Sequence, residues 1–275
     1  MLYKKFDDKI EVYDKSQFNP EHILECGQVF CFDKQEENYV VFPEDKFAKI
    51  VEKENCYQIL TETPDYFENY FDLKTDYSKI KNSLSSIEIL KKPLEFGFGI
   101  RILKQNLFET LISFIISANN NIKRIKLILN NLRKAFENEN KRQSFPSRAQ
   151  LLSKDEEFFK QAGCGYRASY LYKVLRQIDE QTLENYQSLD TKTLREKLIE
   201  LAGVGPKVAD CVLFFGFGRG DVFPVDTWIK QMYNQFYQPL ENREQIRNNL
   251  INQFGKLSGY AQQYLFYYQR SFIKK

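Results

Sequence analysis

The chain has 275 residues, 40 Lys+Arg against 37 Asp+Glu, and is 43% hydrophobic and 15% aromatic. That composition excludes a disordered chain, and neither a membrane-length apolar run nor the hydrophobic region of a signal peptide is present, so a soluble, intracellular protein is expected. The net charge of +3 is too small to announce a nucleic-acid partner, yet it is unevenly spread: residues 1–104 carry 15 Lys+Arg against 20 Asp+Glu, and residues 105–275 carry 25 against 17. The five cysteines lack C-x-x-C spacing, which argues against zinc and against a disulfide framework. A single histidine, His22, argues against His-based triads and most metal sites, and reads as a surface or capping residue.

The pattern predicts a mixed α+β fold: an antiparallel sheet domain with short helices over residues 1–104, packed on a helical body over 105–275. Three stretches read as strands: Gln28–Phe32, Tyr39–Phe42 and Cys56–Leu60, the first two separated by a polar cluster at 33–38. Gly27 then sits at a strand start. A helix is expected over Tyr77–Leu90 and an extended piece over Phe96–Leu103, with no flexible linker before the body. From Asn106 the chain turns helical; Leu107, Leu111, Phe114 and Ile115 mark a buried central helix. It ends at Asn119-Asn120-Asn121, readable as a polar turn or as an amide cluster, with Arg124 nearby, suited to base edges. Ser153-Lys154-Asp155-Glu156 reads as a capping box, and Gly163-Cys164-Gly165 as a turn that presents Tyr166 and Arg167. The last helices, over about 241–273, are expected to pack back towards the N-terminal domain. Gln262 and Phe266, at i and i+4, share a face of the last one.

The most informative stretch is LAGVGPKVADCVLFFGFGRGDVFPVDTW, Leu201 to Trp228. Leu194, Leu198 and Leu201, behind a possible Asp190 cap, and then Val208, Cys211, Val212 and Phe215 give two helical stripes joined by Gly203-Val204-Gly205. Pro206 suits the first position of the second helix, and Asp226 reads as the N-cap of a third. Taken singly, the glycines make a tight turn, Lys207 is a solvated lysine and Asp226 a cap. In combination, a lysine near the positive end of a helix dipole favours its neutral amine form, and glycine N–H groups suit a phosphate. An amine attacking an electrophilic carbon on a phosphate backbone is the chemistry this combination suggests.

These residues resemble the helix-hairpin-helix plus Gly/Pro-Asp motif of the DNA base-excision glycosylases. Five stretches further resemble the 8-oxoguanine DNA glycosylases of the eukaryotic type: Cys26-Gly27-Gln28-x-Phe30, Ser117-x-Asn119-Asn120-Asn121-Ile122-x-Arg124, Gly165-Tyr166-Arg167-Ala168-x-Tyr170, Val204-Gly205-x-Lys207-Val208-Ala209-Asp210-Cys211 and Gly259-x-Ala261-Gln262-x-x-Leu265-Phe266. The resemblance implies Lys207 as nucleophile and Asp226 as the essential carboxylate. It implies a base pocket of Gly27, whose carbonyl accepts the N7 proton of 8-oxoguanine, Gln262 on the Watson–Crick edge, and Cys211 and Phe266 around the ring. Asn119 would fill the vacated space, Arg124 and Arg167 would hold the orphaned cytosine, Tyr166 would wedge beside it, and Gly203, Val204 and Gly205 would grip phosphate. The implied partner is duplex DNA containing damaged guanine, bound by a monomer, with no metal and no organic cofactor.

Two departures stand out: Trp228 where the family usually has a histidine, and Gln269 where an acidic residue is common. The four-cysteine iron–sulfur cluster of the endonuclease-III-like branch is absent from the sequence. The competing readings are a glycosylase for another damaged purine and a non-catalytic hairpin DNA-binding protein; the latter needs neither Lys207 nor Asp226.

Overall fold

The computed structural model describes residues 1–136 and 144–273. A six-stranded antiparallel sheet is formed by β1 (Tyr3–Lys5), β2 (Lys9–Val12), β3 (Phe32–Gln35), β4 (Asn38–Val41), β5 (Ala48–Glu52) and β6 (Tyr57–Leu60), in the order β1-β2-β6-β5-β4-β3. Ile10 and Val12, Ala48 and Ile50, and Tyr57 and Ile59 all point inward at period two, and the register pairs Ile10 with Ile59 and Ile59 with Ile50. The short helices α1 (Pro20–Leu24), α2 (Pro64–Tyr70), α3 (Tyr77–Ser85) and α4 (Lys91–Phe96) complete the N-terminal part.

The helical body comprises α5 (Leu107–Ser117), α6 (Ile122–Lys134), α7 (Arg148–Leu152), α8 (Glu156–Gln161), α9 (Arg167–Gln177) and α10 (Glu180–Asn185). It continues through α11 (Thr191–Ile199), α12 (Pro206–Phe215), α13 (Thr227–Phe236), α14 (Arg243–Phe254) and α15 (Ser258–Ile273). As expected, α5 is central: Phe108 to Ile116 are all buried, and it packs against α6, α9, α10 and α12. No helix among the described residues is long and apolar enough to cross a membrane.

The N-terminal part departs from the local pattern in several places. β1, β2 and β5 are strands that the pattern did not reveal. The apolar run Gln28–Cys31 is not a strand; β3 begins only at Phe32, and Asp33–Gln35, expected in a loop, form the rest of it. The cause is tertiary. Gln28 is fully buried, its amide donating to the Ile23 and Arg101 carbonyls at 2.8 Å and accepting from Leu103 N at 2.9 Å. Residues 26–31 therefore thread between two cores, with Cys26, Phe30 and Cys31 packed into the helical one and Val29 into that of the sheet. Gly27 has φ +85° and lies in this irregular segment, not at a strand start.

Smaller corrections follow the same logic. The helix expected over Tyr77–Leu90 ends at Ser85, and a separate 3₁₀ turn covers Glu88–Leu90. Ser153 closes α7 while Asp155 alone caps α8; the capping box is Ser147 with Gln150, one helix earlier. His22 is neither exposed nor a cap. It packs against Phe98 and Tyr267, and its Nδ1 accepts from Gly99 N at 3.3 Å, while burial pushes its pKa down.

Candidate active site

The hairpin between α11 and α12 has the geometry its sequence demands. Asp190 caps α11, accepting from Lys192 N and Thr193 N at 3.0 and 3.1 Å. Gly203 has φ +81°, and a Cβ there would sit 2.7 Å from Tyr170 Cβ, so only glycine fits the crossing. Pro206 occupies the first turn of α12, and Gly205 offers no side-chain cap. The first-turn N–H groups are thus left to an external anion, at the positive end of the dipole. On α12, Asp210 is 1% exposed and holds Arg195 Nε at 2.9 Å and Arg247 Nε at 2.8 Å. That bridge ties α11, α12 and α14 together.

Lys207, half-buried in the first turn of α12, reaches over the Phe114 ring, its Nζ 5.3 Å from the centroid. Phe114 is itself stacked on Phe215 at 5.3 Å, which fixes the platform. Cys211 lies one helical turn further on the same face. Burial pushes its thiol up to about 11, while the Lys207 ammonium beside it pulls the other way. Asp226 caps α13, Oδ1 accepting from Ile229 N at 2.9 Å. Its carboxyl is pushed above the usual aspartate range by burial, opposed by the Ile229 N–H and by the charge of Lys207. Lys207 and Asp226 line one cleft of about 940 Å³, together with Gly27, Phe266, Asn119, Gly203, Gly205 and Trp228.

The opposite wall is α15 seated on residues 25–27. Gln263 donates to Cys26 O at 2.8 Å and Arg270 Nη2 donates to Glu25 O. Phe266 Cε1 lies 3.0 Å from where a Gly27 Cβ would be, so any larger residue would push the ring aside. Gln262 is buried on the same helix face, and its Oε1 has no partner. Arg270 was not singled out by the sequence, although its i+4 spacing from Phe266 placed it on that face too.

Across the cleft, Asn119 is exposed with φ +49°, a left-handed turn that asparagine tolerates. Asn121 caps α6 through Arg124 N at 2.9 Å, so the asparagine run serves as a helix junction and also as part of the cleft rim. Arg167 lies beneath that turn and is 3% exposed, with Nε on Ala118 O at 2.8 Å, Nη2 on Ala118 O and on Asn119 O at 2.8 Å, and Nη1 on Cys164 O at 3.4 Å. In this arrangement it shapes the Asn119 backbone and does not line the cleft. Tyr166, 55% exposed, covers the Arg167 guanidinium at 4.4 Å, and Arg124 is exposed with one weak bond to Gly163 O at 3.4 Å. Those two lie on the same outer rim. Trp228 lines the cleft next to Asp226; Gln269 does not. No group of three or more metal-binding side chains occurs among the described residues.

Comparison with known proteins agrees with this geometry. Residues 12–111 match the 8-oxoguanine DNA glycosylase N-terminal domain, and residues 112–255 match the HhH-GPD superfamily base excision DNA repair protein. The chain is 31% identical to a probable N-glycosylase/DNA lyase of Methanothermobacter thermautotrophicus over 230 residues, 74% of this chain and 73% of that one. It is 36% identical to the N-glycosylase/DNA lyase of Saccharomyces cerevisiae over 168 residues, 54% of this chain but only 45% of the yeast protein. Its fold superposes on that of the Clostridium acetobutylicum 8-oxoguanine glycosylase/lyase, solved with duplex DNA containing cytosine opposite 8-oxoguanine, with a TM-score of 0.90, 36% identity and 98% coverage of both chains. The chain belongs to the HhH-GPD superfamily of base-excision DNA repair proteins, in the branch that carries the N-terminal domain of the 8-oxoguanine DNA glycosylases.

Proposed function

We propose that this protein is a bifunctional DNA glycosylase and lyase that excises 8-oxoguanine from duplex DNA. The observation that carries the reading is the meeting of the Lys207 amine and the Asp226 carboxylate in one cleft, opposite a slot bounded by Gly27 and Phe266. A pure DNA binder needs neither an amine nor a half-buried carboxylate there. The target nucleotide is flipped out of the duplex into the slot, where Phe266 and Cys211 flank the ring and Gln262 offers its unpaired Oε1 to the Watson–Crick edge. The Gly27 carbonyl accepts N7–H of 8-oxoguanine, and guanine, with a lone pair at N7, leaves that carbonyl unpaired at a cost of about 1–3 kcal/mol.

After loss of its ammonium proton to solvent, Lys207 attacks C1′: the C1′–Nζ bond forms as the bond from C1′ to the base nitrogen breaks, and the base leaves with the electron pair. Ionised Asp226 stabilises the positive charge that develops at the sugar. Ring opening gives a Schiff base, loss of a C2′ proton follows, and the 3′ phosphate departs by β-elimination. Neither metal nor organic cofactor enters these steps. Gly203, Val204 and Gly205 hold backbone phosphate, Asn119 occupies the space left by the flipped nucleotide, and Arg124 and Tyr166 meet the opposite strand with Arg167 supporting them from below.

Borohydride added during reaction with an 8-oxoguanine duplex should trap a covalent protein–DNA adduct, and Lys207→Gln should abolish it. Absence of an adduct with the unaltered protein defeats the reading. Duplexes carrying alkylated purines, run alongside, separate 8-oxoguanine from other damaged purines.

A further inference from the structure

We propose that Arg270 is a second reader of the lesion, donating from Nη1 to the C8 oxygen of 8-oxoguanine beside the Gly27 carbonyl. This deepens the function proposed above and rests on it. Arg270 lines the cleft, and its Nη1 stands 3.1 Å from where a Gly27 Cβ would be, next to the edge of Phe266. Glycine backbone, aromatic ring and guanidinium thus converge on one corner of the slot. Nη2 is tied to Glu25 O, which fixes the guanidinium plane and aims the other nitrogen. Nη1 is sealed from water and has no hydrogen-bond partner. Arg133 Nε and Arg219 Nε are buried without a partner too, but of these three arginines only Arg270 lines this cleft, where a bound base can complete it. No hydrogen bond among the described residues ends on the Gly27 carbonyl either.

Two neighbouring residues, Gly27 and Arg270, therefore leave an acceptor and a donor unfilled. 8-Oxoguanine offers the matching pair on adjacent atoms, N7–H and C8=O. Guanine offers the reverse, a lone pair at N7 and hydrogen at C8. Arg270 cannot slide across to serve the guanine N7, because its other nitrogen is anchored and the Glu25–Gly27 backbone is held by Gln263 as well. The corner rewards the lesion twice and the normal base not at all. Burial also disfavours the cation, and an oxygen acceptor relieves that cost.

The test uses the full chain and three duplexes: 8-oxoguanine, a preformed abasic site, and 9-deazaguanine, which keeps N7–H but has hydrogen at C8. Arg270→Leu should lower the ratio of 8-oxoguanine excision to abasic-site cleavage by about tenfold or more, the range of a hydrogen bond to a charged group. An unchanged ratio, including equal losses on both substrates, overturns the proposal. Should Arg270→Leu not fold, Arg270→Gln carries the same test, with melting temperature as the check. A binding measurement adds a readout that a merely structural role does not move. In the Lys207→Gln background, 8-oxoguanine duplex should bind about tenfold more tightly than 9-deazaguanine duplex, and Arg270→Leu should erase that difference. A difference that survives the substitution overturns it. Failure of the unaltered protein on 8-oxoguanine, with abasic sites still cleaved, would instead remove the lesion assignment on which this inference stands.

Discussion

Asp210 is buried and Asp226 half-buried, and burial opposes the charge of both, yet their surroundings are opposite. Asp210 borders the cleft but holds two guanidinium groups at 2.9 and 2.8 Å. Asp226 borders the same cleft and is held through the backbone N–H of Ile229, with Lys207 as its neighbouring charge. The same contrast separates two arginines. Arg101, fully buried under the sheet domain, gives Nε to Phe71 O, Nη1 to Gln17 O, and Nη2 to Asp72 O and Thr75 O. Arg270 keeps one nitrogen empty. Where partners are complete, the charge holds elements together; where they are incomplete and a cleft lies adjacent, the charge is reserved for substrate.

Substitution at each aspartate should break this contrast cleanly if it is wrong. Asp226→Asn should slow base release by about 10²–10³-fold, the span lost with one preorganised electrostatic stabiliser, while leaving affinity for undamaged duplex close to that of the unaltered protein. Equal losses in rate and binding would mean that Asp226 serves only as the cap of α13. Asp210→Asn should do the reverse. It leaves Arg195 and Arg247 without their shared carboxylate, although Glu244 still reaches Arg195 at 2.8 Å and Arg247 at 3.5 Å. A loss of about 3 kcal/mol in urea unfolding is expected, at the lower end for a broken buried ion pair, with excision per folded molecule retained. A stable but inactive Asp210→Asn protein would place that network in the chemistry.

The hairpin was legible because its constraints are local. Gly203 must take a positive φ, Pro206 fits only the first turn, and the Val208, Cys211, Val212, Phe215 stripe reports a helix without help from the rest of the chain. α5 was legible for the same reason. The sheet was less so. β1 and β2 carry lysines and glutamate among few apolar residues; β2 becomes a strand only because β6, far along the chain, pairs with it, and β1 in turn pairs with β2. Gln28, polar within an apolar run, was read as part of a strand because its burial depends on Arg101 and Leu103, more than 70 residues away. The candidate site divided in the same way. Lys207, Asp226, Gly27 and Phe266 line one cleft, whereas Arg167 is engaged with the Asn119 turn. Arg270 escaped notice because its value lies in a contact with Glu25, 245 positions earlier.

The gentlest perturbation is pH, and it separates the two kinds of carboxylate without any substitution. Asp226 must be ionised to stabilise the developing sugar cation, and burial has raised its pKa. Excision should therefore fall, as pH drops, at a higher pH than an ordinary aspartate would give. Stability should behave differently. A group whose folded pKa exceeds its unfolded value contributes most when protonated, so acidification through this range does not weaken the fold through Asp226. The carboxylates with lowered pKa, such as Glu11 beside Lys9 and the helix caps Asp179 and Asp190, contribute stability above their unfolded pKa and lose it only as pH falls further. Single-turnover excision and the melting temperature, measured together from neutral pH downward, should show activity declining while the melting temperature holds. Coincident decline of the two would mean that the acid limb reports unfolding, and Asp226 would lose its claim to be the group that titrates.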